Sequence, residues 1–351
     1  MNNTPTTLTR QLILGPCSAE SREQLFTTAE ALKDLPISYF RAGIWKPRTR
    51  PGHFEGYGQE ALTWLLEVKK AYNLPIAIEV ASQQHMEAAL NAGVDMVWIG
   101  ARTTPNPFTI NLLANMTRGT SVAVYVKNPV NADLNLWLGA LERFDAAGVR
   151  QLAAIHRGFT SPQEKRLRNA PLWDIPLALK NQWPDLPILH DPSHIAGNKR
   201  WLPGLLAEAK RLPFSGLMLE VHPDPENALT DSNQQVRPAF CKKLIDRVSQ
   251  SATCNSSSLQ QLANLRQEID SLDSLLLKTL QDRFERVSRI GELKQTTNMQ
   301  VYQPNRWQEL MKHRRSLGET FHLSESFVAA LFECIHQESI TQQSTLHEAV
   351  Q

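Results

Sequence analysis

The 351-residue sequence predicts an α/β protein of two joined parts, an eight-stranded (β/α)8 barrel followed by a small all-α domain of three helices. Three observations predict it. Short apolar runs alternate with amphipathic helical patterns over roughly the first 250 residues. A polar stretch with almost nothing to bury then follows, and beyond it the strand signal disappears.

The apolar runs are Leu12–Leu14, Ser38–Trp45, Ile76–Val80, Met96–Ile99, Val122–Val126, Gln151–Ile155, Ile188–Leu189 and Leu217–Val221. Between them, stretches such as Gln59–Ala71, His85–Ala92, Leu134–Ala147 and Trp201–Arg211 carry apolar residues at i, i+3 and i+4, the spacing of a half-buried helix. Eight is the strand number that closes a parallel barrel, and the segment's length of about 240 residues suits one. A doubly wound sheet is the alternative, but no glycine-rich fingerprint follows the first run. The domain boundaries expected are therefore 1–250 for the barrel, 251–258 for a Ser/Thr/Asn-rich linker and 259–351 for the helical part.

In the helical part, Leu259 to about Lys294 forms one amphipathic pattern with no proline and a single glycine, Gly291. At 1.5 Å per residue such a helix spans roughly 50 Å, more than so small a domain covers by itself. Its apolar stripe calls for a partner, most simply a second copy of the chain. Two shorter helices start near Pro304, a favoured first helical residue, and near Ser324, a residue able to cap an N-terminus.

A formal net charge of +2 supplies no global field for nucleic acid. Four scattered cysteines (Cys17, Cys241, Cys254 and Cys334) make no disulfide framework. There is neither a signal-peptide pattern nor an apolar run long enough for a bilayer, so the sequence reads as cytoplasmic, with no membrane and no nucleic-acid partner. Only about ten residues precede the first run, leaving no room there for a regulatory domain; control is expected from the C-terminal part.

Active sites of such barrels lie at the C-terminal ends of the strands. The polar residues ending the runs are Cys17, Lys46, Arg102, Lys127, Arg157, His194 and Glu220, with Arg41 and Arg48 flanking Lys46. So many cations in one mouth repel each other unless a multiply charged anion occupies it, which points to phosphate or carboxylate substrates. Each cation alone reads equally well as a solvated strand end. Cys17, His194, Glu220 and Asp231 offer thiolate, imidazole and carboxylate donors, a mixed set suited to a first-row transition ion rather than Mg²⁺ or Ca²⁺. Cys17 alone reads more readily as a buried packing residue.

The motifs around these residues are more specific. They are Gly15-Pro16-Cys17-Ser18-Ala19-Glu20, Arg41-Ala42-Gly43-Ile44-Trp45-Lys46-Pro47-Arg48-Thr49 and Gly100-Ala101-Arg102-Thr103-Thr104, then Lys127-Asn128, His156-Arg157-Gly158 and Asp191-Pro192-Ser193-His194, then Gly216 through Pro223, and finally Asp231. In this order, over about residues 10–250, they resemble 3-deoxy-D-arabino-heptulosonate 7-phosphate (DAHP) synthases of the type I beta branch, which are TIM barrels. The resemblance implies condensation of phosphoenolpyruvate with erythrose 4-phosphate to DAHP and phosphate. It implies Cys17, His194, Glu220 and Asp231 as ligands of a divalent metal (Mn, Fe, Co or Zn). Arg102, Lys127 and Arg157, with Arg41 and Lys46, would hold phosphoenolpyruvate, Arg48 and Thr49 would hold the phosphate of erythrose 4-phosphate, and Lys46 would move protons. A synthase with a longer sugar acceptor is the alternative, against which Lys46-Pro47-Arg48-Thr49 argues.

On the first predicted helix Arg283 and Lys294 are 11 residues apart and share a face, roughly 16 Å apart along the axis. Arg266 lies about 100° round the helix from Arg283, so one straight helix cannot aim all three at one small ligand; an antiparallel second copy can supply the missing arginine. Leu265 through Asp273, then Arg283, Lys294, Arg306 and Glu338-Ser339-Ile340-Thr341-Gln342-Gln343 resemble the all-helical chorismate mutases over about residues 259–347. That family forms intertwined dimers. The resemblance implies rearrangement of chorismate to prephenate without a cofactor: Arg266 of one copy and Arg283 bind the two carboxylates, Lys294 and Gln343 meet the ether oxygen, and Arg306 and Ser339 complete the site. One departure stands out, since Trp307 occupies the place of a frequent glutamate and Gln303 that of an aspartate. The implied protein is a bifunctional shikimate-pathway enzyme with feedback inhibition of the barrel by prephenate or chorismate. The alternative is a synthase whose helical part only senses such a ligand.

Overall fold

The computed structural model describes residues 8, 10–46, 52, 54–249, 256–297, 299–300 and 302–348, with only the backbone described for 256–260 and 344–348. The chain divides into two compact units, Met1–Ser251 and Ala252–Gln351. Most of the expected linker, and Arg48 and Thr49, lie outside the described residues.

In the first unit eight strands, β1 (Gln11–Gly15), β2 (Tyr39–Arg41), β3 (Ile76–Val80), β4 (Met96–Ile99), β5 (Ala123–Lys127), β6 (Leu152–His156), β7 (Ile188–His190) and β8 (Gly216–Glu220), close into a parallel barrel in sequence order. The second run is the one that the structure shortens. Past Arg41 the regular strand ends: Ala42 N still donates to Ala77 O (3.2 Å) and Gly43 keeps only an isolated parallel bridge to Ser18, before Lys46 N turns to Glu55 O (2.8 Å). Alternation along the strands splits the core in two. Ile13, Ala77, Met96, Trp98, Ala123, Tyr125, Ala153, Ile155, Leu189 and Met218 fill the barrel interior. Their neighbours, among them Leu12, Leu14, Ile76, Ile78, Val97, Val124 and Leu217, face the surrounding helices.

Helices connect successive strands, and side-chain caps start several of them: Ser21 before α1 (Arg22–Leu32), Ser82 before α3 (Gln83–Asn91) and Asp133 before α5 (Leu134–Ala146). Between them lie α2 (Gln59–Tyr72) and α4 (Pro107–Met116), and α6 (Asp174–Gln182) follows. The short α7 (Pro192–Ala196) begins at the Asp191 cap and ends at Gly197, whose positive φ of 62° suits glycine. α8 (Leu202–Ala209) and α9 (Pro238–Ser249) complete the unit. β1 and β2 approach so closely at Gly15 (φ 145°) that a Cβ there would lie 2.2 Å from Arg41 O. Pairing of β1 with β8 sets Gly15 opposite Glu220, which brings the Cys17 turn and Glu220 to one rim.

The second unit is three helices: α10 (Ser256–Thr296), α11 (Pro304–Thr320) and α12 (Glu325–Glu348). α10 opens at Ser256, three residues earlier than its apolar pattern. The Ser324 hydroxyl accepts from Phe327 N (3.3 Å) at the head of α12. α11 presses on α12 at Gly318, where a Cβ would meet Val328 Cγ2 at 2.5 Å. Burial is confined to the lower half of α10: Val287 and Gly291 are buried, whereas Leu265, Ile269, Leu272, Leu275, Leu276 and Leu277 are all more than half exposed. No helix among the described residues is long and apolar enough to cross a membrane.

Candidate active sites

At the C-terminal rim of the barrel the Sγ of Cys17 and carboxylate oxygens of Glu220 and Asp231 all lie within 4.8 Å of one another. His194 joins them from α7: its Nε2 is 3.7 Å from Glu220 Oε1, while its Nδ1 is 2.8 Å from Asp191 Oδ2. Asp191 thus caps the helix and orients the imidazole, leaving Nε2 toward Glu220, while His194 stands outside the tight Cys17/Glu220/Asp231 group. Burial lowers the His194 pKa, so the ring is neutral near pH 7. Burial, with Glu220 and Asp231 beside it, pushes the Cys17 thiol up to about 12 although Lys46 opposes the rise. A thiol and two carboxylates crowded so closely, with the imidazole next to Glu220, are donors that a cation would relieve, and the set fits a first-row divalent ion. Asp231 itself holds a left-handed backbone (φ 48°), a conformation uncommon for residues other than glycine.

Cations ring this cluster. Arg41 is fully buried; its Nη2 donates to Glu220 Oε1 (3.0 Å), its guanidinium lies 4.9 Å above the Trp98 ring, and its Nε and Nη1 have no partner. Two orphaned donors on a buried cation are an incomplete anion site. Lys127 Nζ donates to Asp191 Oδ2 (2.9 Å) and is likewise buried. Arg157 Nη1 donates to Asn169 Oδ1 (2.8 Å), and burial lowers its pKa to about 10, with Arg168 and Arg102 adding to the effect. Arg102 is exposed beside it. Lys46 Nζ donates to Cys17 O (2.6 Å) and Cys17 Sγ (3.0 Å). Of the barrel residues picked out in the sequence, all but Arg48 and Thr49 therefore gather at this rim.

Other residues that sequence reasoning passed over belong here. Gln234 Nε2 donates to Glu220 Oε2 (2.6 Å), and Gln235 Oε1 accepts from Cys17 N (2.9 Å). Arg168 Nη1 donates to Asp231 Oδ1 (3.0 Å) and Gln234 Oε1 (2.8 Å). The signal available was position alone: two glutamines just after Asp231 and an Arg-Asn pair in the loop after β6.

In the helical unit, Arg283 Nη1 donates to Ser339 Oγ (2.7 Å), which passes its own hydrogen to Ile335 O (2.7 Å). Gln343, one turn beyond Ser339, is buried with its Oε1 unpartnered. His336 lies close by: burial lowers its pKa, and the positive charges of Arg283 and Lys294 lower it further. Arg283, Lys294, Ser339 and Gln343 are thus brought to one region. Arg266 is not; it is exposed some 17 residues up α10, roughly 26 Å along the axis from Arg283. Arg306 is exposed too and pairs with Glu309 (3.4 Å). Trp307 stacks on His336 with ring centroids 4.0 Å apart, so an aromatic pair stands where a carboxylate is frequent.

Residues 8–254 match the model of the DAHP synthetase I family, and residues 265–344 that of chorismate mutase type II. A relative from Thermotoga maritima, a phospho-2-dehydro-3-deoxyheptonate aldolase, is 28% identical over 69% of this chain and 69% of its own length. A 2-dehydro-3-deoxyphosphooctonate aldolase from Nitrosococcus oceani is 25% identical over 68% of this chain and 88% of its own. Among solved structures, the Thermotoga maritima DAHP synthase superposes with a TM-score of 0.61 at 28% identity, covering 68% of this chain and 67% of that one. A truncated form of the enzyme gives 0.59 at 25%, covering 73% and 87%. With an eight-stranded closed barrel under the first match and three helices under the second, the chain belongs to the DAHP synthetase I family and carries a chorismate mutase type II domain, a fused, bifunctional shikimate-pathway enzyme.

Proposed function

We propose that the barrel rim binds phosphoenolpyruvate and erythrose 4-phosphate around a divalent metal held by Cys17, His194, Glu220 and Asp231, and that the helical unit rearranges chorismate to prephenate. The observation that carries the barrel reading is Arg41, a buried guanidinium with two unpartnered nitrogens beside the Cys17/Glu220/Asp231 cluster. When bound, the metal supplies a Lewis acid for the aldehyde oxygen. Arg41, Lys127, Arg157 and Arg102 bind and orient the phosphate and carboxylate of phosphoenolpyruvate, and Arg48 and Thr49 the phosphate of the acceptor. The enol carbon bonds to the aldehyde carbon, water adds to the former enol centre, and inorganic phosphate leaves. Lys46, with Nζ 3.0 Å from Cys17 Sγ, holds the proton that passes to the new hydroxyl oxygen. Lys46→Met should lower synthase turnover at least a hundredfold; unchanged turnover would remove Lys46 from the chemistry.

In the mutase reading no nucleophile or base is needed. Arg283, with Arg266 from a second copy, binds the two carboxylates; Lys294 and Gln343 meet the ether oxygen as the C–O bond breaks, and Arg306 and Ser339 complete the pocket. The homodimer is supported by the exposed leucine stripe of α10 and by the distance that separates Arg266 from Arg283. Because chorismate and prephenate lie downstream of the barrel's product, we assign the helical unit a second role, feedback inhibition of the synthase by one of them. Deleting residues 250–351 should give a synthase indifferent to prephenate, and persisting inhibition would refute that role. A cytoplasmic location is in keeping with the biosynthetic chemistry and with the free thiols of Cys17, Cys241 and Cys334.

A further inference from the structure

The loop after β6 carries a cation, Arg168, to which the reading above gives no role with substrate or metal. Arg168 uses one nitrogen, Nη1, for two acceptors: Asp231 Oδ1 at 3.0 Å and Gln234 Oε1 at 2.8 Å. The consequences differ at each end. At Asp231, the bond to Oδ1 leaves Oδ2 as the oxygen turned toward Cys17, whose Sγ is 3.3 Å away. At Gln234, which is 1% exposed, engaging the amide oxygen fixes the amide orientation, so that Nε2 points at Glu220 Oε2 (2.6 Å). Glu220 is then gripped on both oxygens, by Gln234 on one and Arg41 on the other.

The seat of Arg168 is built rather than incidental. Gly197, at the end of the helix that bears His194, would drive a Cβ to within 2.5 Å of Arg168 Cβ. The adjacent Asn169 donates from Nδ2 to His194 O (2.7 Å) and accepts from Arg157 Nη1 (2.8 Å). One dipeptide thus touches the backbone of His194, the side chain of Asp231 and, through Gln234, that of Glu220.

We propose that Arg168 is a positioning residue for the metal centre: through Asp231 directly and Glu220 by way of Gln234, it sets which carboxylate oxygens face the ion. The proposal rests on the reading of Cys17, His194, Glu220 and Asp231 as metal ligands. Charge and position predict opposite signs here. A cation so near a divalent ion repels it, so on charge alone Arg168→Met should tighten metal binding. If Arg168 acts by orienting carboxylates, the same change should weaken binding, by roughly tenfold to a hundredfold as for other residues that support metal ligands.

The test is titration of the full-length protein with Mn²⁺ by calorimetry, and with Co²⁺ followed by its thiolate charge-transfer and d–d absorption. For Arg168→Met the expected result is weaker Mn²⁺ binding with the Co²⁺ thiolate band retained and the d–d bands altered, since Cys17 is not among the groups Arg168 holds. Arg168→Lys should recover part of the affinity. Equal or tighter binding in a folded Arg168→Met protein overturns the proposal. If the unsubstituted protein shows neither Mn²⁺ binding nor a Co²⁺ thiolate band, the ligand assignment itself fails, a different outcome from the first. Should Arg168→Met not fold, Gln234→Leu measured the same way must weaken Mn²⁺ binding, and unchanged affinity there also overturns it.

Discussion

His156 and His190 illustrate how much individual residues depend on their surroundings. Both are fully buried behind the catalytic rim, packed with Trp173 and Phe214, and neither ring nitrogen of His190 has a partner. Burial lowers the pKa of each, that of His156 to about 4. The folded state therefore binds fewer protons than the unfolded chain between about pH 6.5 and 4, and stability is lost as the pH falls through that window. For His156 alone the loss is roughly 2 kcal/mol by pH 5. Urea unfolding of the barrel, followed by tryptophan fluorescence, should show this slope between pH 7 and 5, flattened in His156→Gln; a flat profile in the unsubstituted protein contradicts it. A second residue is Arg283, bonded to Ser339 in the helical unit. Arg283→Ala should cut mutase kcat/KM by about 10²–10³-fold, the usual effect of losing one charged donor in a preorganised site, and leave the synthase untouched. At this scale the sequence disclosed charge and donor type but not partnership. Arg41 and Glu220 are 179 positions apart, and only closure of the barrel makes them a pair. Arg168, Gln234 and Gln235 carry ordinary side chains at ordinary spacings, so nothing local marked them.

At the scale of elements the barrel strands were legible because each is buried on both faces and reads as an apolar run. Strand ends were less so: the run from Ser38 to Trp45 stays apolar although the regular strand ends at Arg41, since Ala42 and Ile44 beyond it are still fully buried. The pattern of α10 showed an apolar stripe too long for its own domain, and the structure leaves that stripe exposed over its first half. Several leucines more than half exposed on one helix form the kind of patch that marks an interface. If the proposed homodimer pairs through this stripe, Leu272→Asp with Leu276→Asp should shift the full chain from dimer to monomer in sedimentation velocity. Mutase activity should be lost with it, because in the proposed site Arg266 comes from a second copy, while the synthase persists. A doubly substituted protein that remains dimeric and active would place the interface elsewhere.

The whole molecule joins two chemistries with different demands. The barrel gathers a thiol and two carboxylates, with the His194 imidazole beside Glu220 and at least four cations, the set proposed above to bind anionic substrates around a metal. The helical unit offers cations and hydrogen-bond donors but, among its described residues, no cluster able to hold a metal. Family membership was legible from ordered motifs over both units, whereas the grip of each side chain was not. The difference in metal demand gives the most direct test: both activities measured on one full-length sample, before and after treatment with EDTA. Synthase activity should fall to background and return with added Mn²⁺, while mutase activity stays within error of its starting value. Retention of synthase activity after complete metal removal, or parallel loss of both activities, would contradict two independent sites of these kinds on one chain.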